Sequence, residues 1–499
     1  MAQPVVERVP PSRSRLDRVG WTALGYGPFR YFIAAMLAST SGNFLYFAAL
    51  GWYVLDLTGS PAAVGFAFTA SGLPILLATV HAGVLTDRVG ARRMLLVSLA
   101  AMAAVAISQA AFAVSGNSSF PVVLALALAL GIAQTIGAPA SVAIVTELVP
   151  PPAVSSATVL NFLHMNVSRI IGGLAGGFLL ATTTPATTFA AAAILFIVPV
   201  AIMARVRTTD TRLPSDRPRA AVLGPLVEAF RYAITYPTLG VLILLSIAPG
   251  AIGLSYLFML PVAAVELGIG AGGLGLLMAA AGVGGLVAGL SLESIQRRVG
   301  HGRALIGGIM GAALGLTLFG LAPNVPIAIL ALVIVGASFL TFASATVTLT
   351  QAIAPPRLRG RMVSLFATLY WGMMPVGALM VGLVAEATTA RTAIALCGIG
   401  LAIAGAAAFV GRPQIATLAV GRDGLTLSGD LSGSGVRVAP IREPALPGEP
   451  ATGAEQATVI GPISAIDPVL VVEPTSARAP DRAGGPASVS GPAPDSRHP

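Results

Sequence analysis

The sequence predicts an all-α membrane protein: twelve transmembrane helices arranged as two six-helix parallel repeats, followed by a disordered C-terminal tail. Three observations predict it. Hydrophobic residues make up 55% of the 499-residue chain, charged residues only 10%, and mean hydropathy is +0.85. A soluble protein carries about 25% charged residues. Residues 31–410 divide into twelve apolar runs, each near the roughly 20 residues that cross a bilayer. The first six runs and the last six share landmarks in the same order. This composition excludes an ordinary cytosolic enzyme, a disordered regulator and a coiled coil.

The runs are 32–55, 62–85, 93–115, 121–148, 156–181, 185–205, 238–265, 272–294, 303–322, 325–350, 361–386 and 391–410. Turn or charge signals separate them, among them DLTGSP (56–61), DRVGARR (87–93), VPPPAVSS (149–156), RRVGHGR (297–303) and APPRLRGR (354–361). Backbone polar groups cannot be left bare in lipid, so each run must be helix. A β-barrel would show alternating segments of about 10 residues, whereas these runs are apolar on every side. Residues 1–30 carry Arg8, Arg13, Arg15 and Arg18 without an apolar core and cleavage site, and read as a cytoplasmic tail.

Residues 31–206 form the first six-helix bundle, 207–237 a cytoplasmic linker, and 238–410 the second bundle. Within the linker, RVRTTDTRLPSDRPRA (205–220) is charged, and AVLGPLVEAFRYAITYP (221–237) reads as an amphipathic helix on the inner surface. Residues 411–499 hold thirteen prolines and no span, the composition of a disordered cytoplasmic tail.

All 29 basic residues are arginine, net charge is +9, and their placement sets orientation. With the N-terminus inside, the cytoplasmic loops take fifteen arginines: Arg88, Arg92, Arg93, Arg205, Arg207, Arg212, Arg217, Arg219, Arg231, Arg297, Arg298, Arg303, Arg357, Arg359 and Arg361. The outer loops take one, Arg391. Both termini are therefore expected inside, the positive charge faces an anionic leaflet, and nucleic acid is not an expected partner.

A shift of 210 residues lays Gly65 on Gly275, Gly72 on Gly282, and Arg88-Val89-Gly90 on Arg298-Val299-Gly300. A shift of 205 lays Pro150-Pro151 on Pro355-Pro356, Gly172 on Gly377 and Gly177 on Gly382. Because glycine is abundant, the weight rests on the RVG and PP matches. Two six-helix units running in the same sense place a substrate site between the halves near mid-membrane.

GVLTDRVGARRML (83–95), between spans 2 and 3, resembles the G-x-L-x-D-R-x-G-R-R/K signature of the major facilitator superfamily. Gly83, Leu85, Asp87, Arg88, Gly90, Arg92 and Arg93 fit, and Ala91 departs from a usually basic place. DLTGSPAAVG (56–65), APASVAIVTELVPPPAVSSATVLN (138–161), SRIIGG (168–173) and PPRLRGRMVSLF (355–366) are similar to the branch holding the enterobactin exporter and macrolide efflux pumps. The resemblance implies a major facilitator fold over residues 31–410 in a bacterial inner membrane. It also implies outward transport of siderophores, antibiotics or other amphiphiles.

Physically, Gly83 and Gly90 allow close packing of helix and loop, and Asp87 sits where span 2 meets the cytoplasm. Near the start of span 11 it would meet a positive helix end, with Arg359 or Arg361 as partners, a contact worth about 0.3–2 kcal/mol. The contact forms only when the cytoplasmic side is shut, so it acts as a latch. In the second half Arg297 occupies the acidic place, so the second latch is degenerate. Glu147, ending span 4, is a further candidate partner for Arg88, Arg92 or Arg93.

Ionisable residues at bilayer depth are costly and point to function. Span 5 holds Asn161, His164, Asn166, Ser168 and Arg169. Asn161, His164 and Ser168 share a face by their 3- and 4-residue spacing, and Arg169 lies near the span's centre. Arg169 is expected to face the protein interior or a water-filled cavity, for substrate or conformational coupling or as an interhelical lock. His164, like His81, is either titratable near neutral pH or an interhelical hydrogen-bond partner. Asn43, Tyr46, Gln134, Tyr256, Tyr370 and Trp371 complete the candidate cavity, where aromatics with polar tips suit bulky, partly apolar cargo. Related exporters often carry an acidic residue after a span-1 glycine, but here Asn43 follows Gly42. Asp87, Glu147 and Glu293 all sit at inner ends, so no central carboxylate is available to couple protons. His164 could take that place, or transport could be uncoupled. Gly172 to Gly177 resembles the G-P-x-x-G-G end of an antiporter motif, with Gly173 in the proline place.

GIGAGG (268–273) has no strand before it and is not a nucleotide fingerprint. No Walker loop, no metal-ligand spacing and no nucleophile–base pairing is present, and the lone Cys397 precludes a disulfide. No cofactor, metal or enzymatic activity is expected. The function expected is export of a hydrophobic or amphipathic small molecule by a secondary transporter, acting as a monomer in the lipid bilayer with protons as a candidate partner. The alternatives are a transporter-fold sensor or scaffold that signals through its tail, and an importer of small nutrients.

Overall fold

The computed structural model describes residues 21–116, 119–206, 223–421, 424–427, 436–438 and 472–473. Residues 1–20, the charged linker at 207–222 and most of the expected tail lie outside the described residues. Among the described residues, twelve helical segments are long and apolar enough to cross a membrane. The first half comprises α1 (Gly27–Thr58), α2 (Pro61–Val89), α3 (Ala91–Val114), α4 (Phe120–Leu148), α5 (Val154–Thr182) and α6 (Pro185–Arg205). The expected amphipathic linker helix is α7 (Leu223–Thr235). The second half comprises α8 (Pro237–Leu245) with α9 (Tyr256–Glu266), α10 (Gly270–Val299), α11 (His301–Leu321), α12 (Val325–Ile353), α13 (Arg359–Gly372) with α14 (Met374–Ala387), and α15 (Ala390–Gly411).

Sequence chemistry marks the ends. Ser60, Thr184, Asn324 and Thr389 each cap a helix N-terminus by accepting from a backbone N–H three residues on. Gly90 and Gly300, matched by the repeat, each turn the chain between two long helices at φ of 100° and 85°. That backbone region favours glycine. Phe178, Leu290, Leu321 and Val410 are exposed large apolar side chains, as a lipid-facing surface requires.

The two halves pack alike. In the first, α2 lies on α4, α3 on α4 and α6; in the second, α10 lies on α12, α11 on α12 and α15. The sequence repeat is thus a repeat of packing. Spans 7 and 11 differ from the ten unbroken ones. A π-helical turn at Pro249–Gly253 separates α8 from α9, and the chain breaks again between Gly372 and Met374. Pro249 and Pro375 lack the N–H that an unbroken helix needs. The breaks touch each other: a Cβ on Gly250 would lie 2.5 Å from the Tyr370 carbonyl oxygen and 2.6 Å from that of Leu369.

The halves meet along two seams, α2 with α14 and α5 with α10. A Cβ on Gly65 would lie 2.7 Å from the Ala378 carbonyl oxygen and 3.1 Å from Gly382 Cα. A Cβ on Gly177 would lie 2.6 Å from Gly275 Cα. Under the repeat Gly65 corresponds to Gly275 and Gly382 to Gly177, so one backbone contact occurs twice. The glycine contacts of both seams lie away from the arginine-rich end, the last being Gly372 against Leu76 and Gly285 against the Asn166 side chain. Beyond these points Asp87, Arg88, Glu293 and Arg359 are exposed, and the buried cluster around Met94, Leu148 and Leu160 is built from first-half residues alone. The halves are closed at one end and apart at the arginine-rich end.

After α15 the chain does not leave the bundle at once. A short 3-10 turn (Pro413–Thr417) and strand β1 (Leu418–Gly421) lie on α11, where Val420 N–H donates to His301 Nδ1 at 3.1 Å. Strand β1 pairs antiparallel with β2 (Gly424–Leu427), then β3 (Val436–Val438) and β4 (Val472–Glu473) follow. Residues 411–421, read from composition as the start of a disordered tail, are therefore structured, because Ile415 and Leu418 are buried apolar anchors.

Gly65→Leu is expected to wedge the α2–α14 seam open, since even its Cβ has no room. In a Cys397→Ser background carrying Ser60→Cys and Glu386→Cys, a short bifunctional thiol reagent reads the seam. Its cross-linking yield should fall severalfold on adding Gly65→Leu in monodisperse protein. An unchanged yield would mean the halves do not meet at these glycines.

Candidate transport site

Helix α5 supplies the polar side chains at mid-depth and presents them to different neighbours. His164 Nε2 lies 3.3 Å from Thr40 Oγ1, and Ser168 Oγ donates to the Leu37 carbonyl at 3.1 Å. This face of α5 is thus held on α1, within the first half. Asn161 is half-buried one turn away. Asn166 faces the opposite half, its Oδ1 filling the space where a Gly285 side chain would be.

Arg169 lies near the middle of α5. Its guanidinium carbon sits 5.3 Å from the centroid of the Phe44 ring on α1, a cation–π contact. Its Nε is buried without a hydrogen-bond partner. Tyr256 and Tyr370 stand beside the breaks in spans 7 and 11 of the second half. Tyr256 stacks on Phe339 at 6.4 Å, and Tyr370 on Phe366 at 5.2 Å. Trp371 stands edge-on to Tyr370 at 5.0 Å and is exposed. Arg169 lies on α5 between the face that His164 and Ser168 hold on α1 and the face that Asn166 sets against α10.

The remaining candidates belong to the first half. Gln134 Nε2 donates to Asn43 Oδ1 at 2.7 Å, tying α4 to α1. Tyr46 is buried with its ring 5.0 Å from that of Phe189 on α6, and its hydroxyl has no hydrogen-bond partner. His81 is exposed on α2.

Three features were not singled out from sequence. Phe47, Phe68 and Phe258 form an aromatic wedge across the halves, with Phe68 stacked on Phe258 at 4.4 Å. Alternating Gly and Phe in α1 and α2 was the available signal. Glu386 at the end of α14 accepts from Ser60 Oγ at 2.7 Å and Ala62 N at 3.1 Å. It thereby caps α2 from the opposite half, a long-range pairing that no local pattern announces. The third is Glu228 of α7, which pairs with Arg361.

At the arginine-rich end, Asp87 and Arg88 are exposed, and Asp87 has no ion pair or hydrogen bond among the described residues. Arg361 faces Glu228, and Arg359 Nε donates to the Ala354 carbonyl at 3.2 Å. Arg92 donates to the Ala204 carbonyl at 2.7 Å, joining the start of α3 to the end of α6. Arg93 is exposed, as is Glu147 in the last turn of α4. Gly83 and Gly360 have open space around them. The latch geometry is absent from this conformation, as separated halves require.

Residues 19–417 match the model of a family described as transmembrane secretion effector. The multidrug efflux pump Tap of Mycolicibacterium fortuitum is 26% identical over 374 residues, covering 72% of this chain and 90% of that protein. The enterobactin exporter EntS of Citrobacter koseri is 25% identical over 351 residues, covering 70% and 83%. The crystal structure of the nucleoside transporter NupG superposes with a TM-score of 0.61 at 13% identity, covering 77% of this chain and 98% of that one. Its likeness shows the fold. With duplicated six-helix halves, the Gly83–Arg93 signature and a family match spanning both, the chain belongs to the transmembrane secretion effector family of major facilitator transporters.

Proposed function

We propose that the chain is a secondary exporter that carries hydrophobic or amphipathic small molecules out across a bacterial inner membrane by rocker-switch alternating access. Residues 31–206 and 238–410 are its two moving bundles, and both termini are cytoplasmic. The observation that carries the reading is one-sided closure: backbone seams seal the halves at one end while the arginine-rich end stands open. Arginine placement assigns the open end to the cytoplasm. The conformation is then the one that receives cargo from inside. Similarity to a multidrug pump and a siderophore exporter supports the cargo class.

Asp87 and Arg361 act at the open end. When the halves close there, Asp87 approaches the N-terminus of α13 and competes with Glu228 for Arg361. An exposed pair such as Arg361–Glu228 is worth about 0–1 kcal/mol, so the exchange costs little in either direction. This keeps the two conformations close in free energy, which a cycling transporter needs.

Energised everted vesicles containing the protein should accumulate a dye or antibiotic from a standard efflux panel severalfold above vesicles without it. Accumulation in right-side-out vesicles instead would make the protein an importer. Truncation after residue 427, which keeps the docked strand β1, should leave accumulation intact; loss of activity would favour the sensor or scaffold reading.

Two latch variants should move in opposite senses. Asp87→Asn removes a helix-end contact of about 0.3–2 kcal/mol, shifting the equilibrium up to roughly 25-fold toward the cytoplasm-open state. Glu228→Gln frees Arg361 and favours the cytoplasm-closed state. Thiol accessibility of a cysteine placed at Leu85 reads both, and transport should fall in Asp87→Asn while the fold is kept. Equal accessibility and normal transport in Asp87→Asn would remove the latch.

A further inference from the structure

We infer that Arg169 is the docking point for an anionic headgroup, a carboxylate or a similar acid, on an amphiphilic cargo; the inference rests on the transporter reading above and names the chemistry of that same site.

The argument begins with charge. Arg169 lies midway along α5, and every Asp and Glu of the described spans lies near a span end: Asp56, Asp87, Glu147, Glu266, Glu293 and Glu386. Among the described residues no hydrogen bond or ion pair reaches Arg169. A cation at that depth is costly unless something pairs with it. The Phe44 ring gives it a face to lie on but not a counter-charge.

Position on the helix adds to this. His164 and Ser168 hold one face of α5 on α1, while Asn166 and Ile170 set another face against Gly285 and Gly282 of α10. At about 100° per residue Arg169 falls between those two faces, at the boundary where the first half meets the second. A cation there is placed to meet a group that enters between the halves.

The apolar part of the cargo has a place as well. The Phe47, Phe68 and Phe258 wedge lies on the sealed side, and Phe44 beside Arg169 belongs to the same helix as Phe47. Phe68 and Phe258 are buried against each other, whereas Phe44 and Phe47 are only half-buried, so an acid headgroup on Arg169 with its hydrocarbon along Phe44 and Phe47 satisfies both surfaces at once. Closure follows from the same charge. With the arginine-rich end open, water solvates Arg169. Closing over an empty site removes that water from an unpaired cation; closing over an anion leaves the cation paired. Anionic cargo thus favours the closed chamber, and neutral cargo does not.

The test uses full-length protein and three dansyl amphiphiles sharing one undecyl chain: the carboxylate, its neutral amide and a trimethylammonium analogue. Fluorescence polarisation reads affinity. A charge-assisted hydrogen bond predicts that native protein binds the carboxylate about tenfold or more tighter than the amide, with the ammonium weakest. Arg169→Gln should bring carboxylate and amide to parity without weakening the amide, and Arg169→Lys should keep part of the preference. Equal affinity of native protein for all three, which needs no variant, overturns the inference. So does a preference that survives Arg169→Gln. Accumulation of the carboxylate in everted vesicles reports on the export reading separately. No accumulation with the headgroup preference in binding intact counts against export alone, and accumulation without that preference counts against the anion site alone.

Discussion

Two places where backbone meets backbone carry the arrangement. Gly65 against Gly382 and Gly177 against Gly275 bring helices of opposite halves into contact with no side chain between them. In lipid no hydrophobic force drives one helix onto another, and close approach of small residues is what holds them. Thr69 Oγ1 reinforces one seam by lying 2.9 Å from the Pro375 carbonyl oxygen. At these glycines the seam is tight in one register and has no side chain to unlock, while nearby side chains such as Phe68 on Phe258 and Asn166 at Gly285 interdigitate across it.

The two seams are alike in backbone but not in chemistry. Only the α2–α14 seam carries a carboxylate at its end, Glu386 capping the α2 N-terminus together with Ser60. The position matched to Glu386 under the repeat is Ala181 and the one matched to Ser60 is Gly270, so the α5–α10 seam has no counterpart. The open end is asymmetric too, because Asp87 has Arg297 in the matched place. The duplication accounts for the helix packing, while these polar residues at the two ends are present on one side of it only.

Much of this was legible before the structure. All twelve spans were found, with ends shifted by a few residues, because exclusion of backbone from lipid leaves helix as the only option for a long apolar run. The breaks at Pro249 and Pro375 were missed. Pro74, Pro139 and Pro199 also stand inside helices that stay unbroken, so a proline alone does not decide. The repeat-matched glycines were given little weight because glycine is common in this chain, yet Gly65, Gly72, Gly177, Gly275, Gly282 and Gly382 are inter-half contacts, while Gly172 and Gly377 pack within their own halves. What distinguishes them is the partner helix, which a single chain's pattern does not reveal. Span 5 was correctly read as the polar one. Which of its faces meets α1 and which meets the second half followed only once His164 and Ser168 were seen on α1 and Arg169 between the halves.

The charge pattern inside the spans ties the parts together. A chain with no mid-span carboxylate and one mid-span arginine cannot bind a coupling proton on an acid at that level. It has no need to if the cargo is itself an acid. An anion moving outward is driven by an inside-negative potential and gains about 2.3 kcal/mol per charge per 100 mV, which supplies a driving force without a second ion. The absence of an acidic residue at Asn43 and the presence of Arg169 then stop being two departures from a proton-coupled plan. They become one consistent arrangement, in which the charge that responds to the membrane's field is carried by the molecule being moved.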